Sequence, residues 1–116
     1  FKRGQELGLQ QDDSVHYSIL VDAAAKKGDF MAAERWFEEA AAAGVRPGLI
    51  LYANMIDAAA KSRNLSAAEL WFEHAVQAGI EPNQILYSAV CDAAGRSGDI
   101  PAAERWIERA LASGVP

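Results

Sequence analysis

Apolar residues recur along the chain at i, i+3, i+4 and i+7, the spacing that gathers side chains on one face of an α-helix. Tyr17, Leu20, Val21 and Ala24 form one such set, and Ala33, Trp36, Phe37 and Ala40 form the next. Lys27, Gly28 and Asp29 lie between them. The aspartate is placed to cap the second helix by accepting from backbone N–H groups that have no partner in the first turn. After the second set, Gly44-Val45 reads as a glycine C-cap with an apolar residue behind it, and Pro47 stops the helix from continuing. The predicted unit is therefore a helical hairpin.

The same hairpin returns when the chain is laid on itself at an offset of 35 residues. Tyr17, Tyr52 and Tyr87 align, as do Trp36, Trp71 and Trp106, and the caps recur as Asn64 and Asp99, with Gly79-Ile80 and Gly114-Val115 at the far ends. Residues 14–48 and 49–83 are identical at 16 of 35 positions, which requires duplication of one structural unit. Pro101 falls in a helix first turn, where its missing N–H has no intrahelical partner to lose. A single hairpin cannot bury both of its faces, so the copies must stack. The expected fold is all-α, a solenoid of three hairpins at 14–48, 49–83 and 84–116, the last incomplete. Residues 1–13, with Leu7-Gly8-Leu9, read as the remnant of a preceding second helix in a longer array.

Composition narrows the chemistry. Of 116 residues 51% are hydrophobic, yet no apolar run reaches the roughly 18 to 20 residues of a membrane span. The single cysteine, Cys91, rules out an internal disulfide and a cysteine-rich zinc site; it aligns with Val21 and Ile56 and reads as a small core residue. His16 and His74 have no counterparts in the other copies, so no metal site is expected. The chain has no glycine-rich phosphate loop, nucleophile elbow or paired-carboxylate cleft, so neither a catalytic residue nor a cofactor is expected and the protein reads as a non-enzyme.

The net charge of −5 opposes a polyanionic partner, but the charges are segregated. The first helices with their turns carry +2, and the second helices carry −6. Lys26, Lys61 and Arg96 recur at the ends of the first helices, where the helix dipole favours a cation. Asp22, Asp57 and Asp92 recur once per copy and should form a row of solvated or hydrogen-bonded carboxylates. Glu34, Glu69 and Glu104 read as acids in the first turn of each second helix.

With Tyr opening the first helix, Asp-Ala after it, Gly-Asp at the turn, Ala-Glu in the second helix and Gly-Val-x-Pro at the end, the unit resembles the pentatricopeptide repeat. The tetratricopeptide repeat differs, with a period of about 34 and an opening that these copies lack. The resemblance implies that the solenoid is right-handed and that single-stranded RNA binds along the first helices, one base per repeat. It implies base wedges at Val15, Ile50 and Ile85, and base reading by Ser18 with Gly48, by Ala53 with Asn83, and by Ser88. It implies phosphate contacts at Lys26, Lys61 and Arg96. It also implies a mitochondrial or chloroplast setting. Gly48 offers no side chain and Ala53 no hydroxyl, which leaves at most a weak purine preference through Ser18, Ser88 and Asn83. The acidic balance and the alanine-lined groove support a second expectation, a protein-interaction scaffold or an accessory subunit of a larger complex.

Overall fold

Six helices make up residues 13–114, the part of the chain that the computed structural model describes: α1 (Asp13–Lys26), α2 (Phe30–Ala42), α3 (Leu49–Lys61), α4 (Leu65–Gln77), α5 (Gln84–Arg96) and α6 (Ile100–Ala112). They pair as the hairpins α1/α2, α3/α4 and α5/α6. The expected remnant lies outside the described residues except for Asp13, which instead opens α1 one residue ahead of the start expected at 14.

Each hairpin is bounded by the caps that the sequence predicts. Asp29, Asn64 and Asp99 accept through a side-chain oxygen from the backbone N–H of Ala32, Ala67 and Ala102 at 3.1, 3.1 and 3.0 Å. At the far end Gly44 and Gly79 take φ of +86° and +93°, and the following N–H groups of Val45 and Ile80 donate back to Ala40 O and Ala75 O. This satisfies carbonyls that the helix end would otherwise leave unpaired. The tight turn inside each hairpin also needs a left-handed residue. Gly28 and Gly98 fill it in two copies, but in the middle copy it is Arg63, at φ +59°. Arg63→Gly is therefore expected to stabilise the fold by about 1 kcal/mol, the left-handed penalty less part of glycine's chain-entropy cost. A rise in the denaturation midpoint with unchanged slope would show it. The backbone oxygen of Arg63, which accepts from Ser97 Oγ at 3.3 Å, is kept in the variant.

The hairpins stack in two layers. Helices α1, α3 and α5 pack directly side by side, whereas α2, α4 and α6 do not approach one another at the backbone. Alanines permit the close inner packing: Ala24, Ala25, Ala58, Ala59, Ala60, Ala93 and Ala94 are all buried. The wider outer spacing is bridged by aromatic side chains. Phe37 meets Tyr52 and Trp71 of the next hairpin with ring centroids 5.4 and 4.6 Å apart, and Phe72 meets Tyr87 and Trp106 at 5.1 and 4.8 Å. Trp71 and Trp106 are core residues as expected, and Trp36 is half-buried.

One expectation fails. Glu34, Glu69 and Glu104 lie beyond the first turn, which in these helices holds no acid. Glu69 instead accepts from Trp106 Nε1 at 2.8 Å across the seam between α4 and α6. A buried indole N–H needs an acceptor, and the glutamate one hairpin back supplies it.

Candidate nucleic-acid interface

Because the first helices form the closely spaced layer, their outward faces line one common surface broken by clefts at the seams. The cleft between α1 and α3 has a volume of about 680 Å³; Val15, Ser18, Asp22, Gly48, Ile50 and Asn54 are among its lining residues. A smaller cleft of about 480 Å³ between α3 and α5 includes Ala53, Asn54, Asp57, Gln84, Ile85 and Ser88 in its lining. The three apolar wedge positions are conspicuously open: Val15, Ile50 and Ile85 are 51, 56 and 49% exposed although each belongs to a helix with a buried face. Exposed aliphatic side chains flanking a cleft provide flat apolar contact of the kind a base can stack against.

The predicted reading pairs fare differently. Ser18 and Gly48 line the same cleft, so the structure brings the first pair together. Ala53 lines the α3/α5 cleft. Asn83 lines a separate cleft beside Ser113 and Gly114, and its side-chain oxygen accepts from the backbone N–H of Ile85 and Leu86 at 3.0 and 3.2 Å. The same amide that would face a base caps α5. Ser88 is exposed and lines the α3/α5 cleft.

The recurrent cations are not bare. Lys26 pairs with Asp22 at 3.1 Å, Lys61 with Asp57 at 2.6 Å and Arg96 with Asp92 at 2.8 Å, each four residues apart on one helix. The row of aspartates expected from the repeat thus becomes a row of ion pairs, as the one-turn spacing on a helix allows. The hydrogen bond to Asp92 and its charge, with Asp57 adding from across the seam, hold the Arg96 guanidinium protonated more firmly than usual. With these pairs neutralised, the +2 of the first-helix layer resides on Lys27 and Arg63 at the turns. Away from this face, burial pushes the Cys91 thiol pKa up, which disfavours the thiolate and suits a packing role.

A family model described as a pentatricopeptide repeat domain matches residues 35–97, more than half of the chain, and one described as a PPR repeat matches residues 15–45. The chain belongs to the pentatricopeptide repeat family. No curated protein matches it. Together the matches run from Val15 to Ser97 and so take in α1 to α5 and both inner clefts. Pentatricopeptide repeats make a helical module that generally binds nucleic acid or another protein, which agrees with a stack whose first helices share an open face. Two residues of this pentatricopeptide groove escape a reading based on recurrence. Arg46 lines the α1/α3 cleft from the linker, and its counterpart at the next linker is the oppositely charged Glu81. Asn54 stands where the other copies have Ile19 and Ala89.

Proposed function

We propose that the chain binds single-stranded RNA, without catalysing a reaction, along the face formed by α1, α3 and α5. The observation that carries this reading is the α1/α3 cleft, where two exposed aliphatic side chains, Val15 and Ile50, flank Ser18 and Gly48 and where Arg46 adds a positive charge. Bases would stack on Val15, Ile50 and Ile85, and phosphates would be met by Lys26, Lys61 and Arg96. One base per repeat gives contact with about three nucleotides, so the sequence selectivity of this stretch alone is low. The family also supports a place in organellar RNA processing or stability, in the mitochondrion or chloroplast.

A salt series tests the proposal. The full chain is titrated against fluorescently labelled oligoribonucleotides at increasing ionic strength. With about three phosphates neutralised, log affinity should fall against log salt with a slope of about −2. A folded chain that binds no oligonucleotide at low salt refutes the RNA reading. The alternative, a scaffold that accepts a peptide or docks in a larger complex, draws support from the ion pairs that already occupy all three recurrent cations and from the net charge of −5.

A further inference from the structure

The residues expected to read bases are poorly equipped for it. Gly48 has no side chain, Ala53 presents a methyl group, and the side-chain oxygen of Asn83 is engaged at the start of α5. One amide is better placed. Asn54, the residue after Ala53 on α3, is half-buried and lines both inner clefts. Its Nδ2 donates to the backbone oxygen of Ser18 on α1 at 3.3 Å, which turns the side chain toward the α1/α3 cleft and fixes its orientation. The second Nδ2 hydrogen and Oδ1 make no other hydrogen bond among the described residues. An oriented donor stands beside an acceptor in a cleft walled by Val15 and Ile50.

Stacking of the hairpins does not require this residue. At the equivalent place on α5 stands Ala89, and on α1 Ile19, yet α3 and α5 pack side by side as α1 and α3 do. We infer that Asn54 reads the edge of a base held in the α1/α3 cleft and favours adenine. An amide can accept from the adenine N6 amine while donating to the adjacent ring nitrogen. A cleft of about 680 Å³ has room for a purine against the two aliphatic walls. This inference rests on the RNA reading above and adds a specificity-determining residue to it.

The test uses the full chain with short oligoadenylate, oligocytidylate and oligouridylate. The unaltered protein should bind oligoadenylate tightest. Asn54→Ala should weaken that binding about tenfold, within the range of one bidentate amide–base contact, and leave the other two nearly unchanged. A thermal melt is recorded alongside. Should Asn54→Ala lower the melting temperature yet keep the order of preference, or weaken all three oligonucleotides equally, Asn54 only ties α1 to α3 and the inference is overturned while RNA binding stands. A chain that binds none of the three removes the RNA reading and the inference together. A direct readout avoids reliance on a folded variant: the Asn54 side-chain amide resonances should shift with oligoadenylate and stay in place with oligouridylate, and equal shifts with both would count against base reading.

Discussion

Replacing Phe72 by alanine is expected to destabilise the fold by about 3 to 5 kcal/mol, the usual range for emptying a fully buried aromatic site. Phe72 is 0% exposed and is the largest fully buried side chain among the described residues. Its ring sits between Tyr87 and Trp106 of the following hairpin, with the Arg109 guanidinium 5.1 Å from its centroid. The backbones of α4 and α6 do not meet, so little can collapse into the space the ring leaves. The loss should approach the upper end of the range and should appear in denaturant unfolding as a lower midpoint. Ile107 is the internal control. It occupies the same place in the third hairpin but is 49% exposed, so Ile107→Ala should cost about 1 kcal/mol or less. Equal losses at the two positions would mean that the aromatic seam is not what binds the second hairpin to the third.

Reversing the charge of two groove cations, in Lys26→Glu combined with Lys61→Glu, should abolish measurable RNA binding at low salt. The reciprocal change should strengthen it. In the unliganded groove the carboxylates of Asp22 and Asp57 hold Lys26 and Lys61, so an arriving phosphate must compete with a partner already in place. Asp22→Asn with Asp57→Asn removes that competition and two negative charges lying within a Debye length of the bound strand. Affinity should rise roughly tenfold at low salt, and the gain should shrink as salt is added. Most of the effect is expected from Asp57. Its pair with Lys61 is the less solvated of the two, with side chains 32 and 29% exposed against 42 and 72% for Asp22 and Lys26. Fluorescence anisotropy across a salt series measures both variants. If the asparagine variant binds no more tightly than the parent, the aspartates are not competitors and phosphate contact must be sought elsewhere, first at Lys27, Arg46 and Arg63.

The hairpins, their caps and the aromatic core were legible in the sequence because each is local and each occurs three times. Asp29, Asn64 and Asp99 sit at the same distance before an apolar set, and one such residue would be weak grounds for a helix start where three in register are decisive. The seam contacts were not legible in the same way. Asn54 meets Ser18, Trp106 meets Glu69 and Arg109 meets Glu73 over separations of 36, 37 and 36 residues. An offset of 35 matches each residue with its own counterpart, whereas packing brings it against a neighbour one or two positions away. Residues that do not recur, such as Arg46 and Asn54, leave no trace in the repeat at all. Asn83 shows a third limit, since capping and base reading call for the same side-chain oxygen and only the folded backbone settles which use it has in the free chain.

The polar contacts across the two seams are placed differently. The seam between the first and second hairpins has a hydrogen bond on the groove side, from Asn54 to the Ser18 carbonyl, and on its outer side Phe37 packs against Trp71 and His74, with no ion pair across it among the described residues. The seam between the second and third is fastened at the rear, where Glu69 holds the Trp106 indole and Glu73 holds Arg109, itself 4.6 Å above the Trp106 ring, and at the hairpin turns, where Ser97 Oγ donates to the Arg63 carbonyl. A chain jointed in this way does not flex as a uniform spring. Its first joint gapes more readily at the back than its second, which two side-chain pairs clamp there, so bending the array changes the width of its two inner slots by unequal amounts.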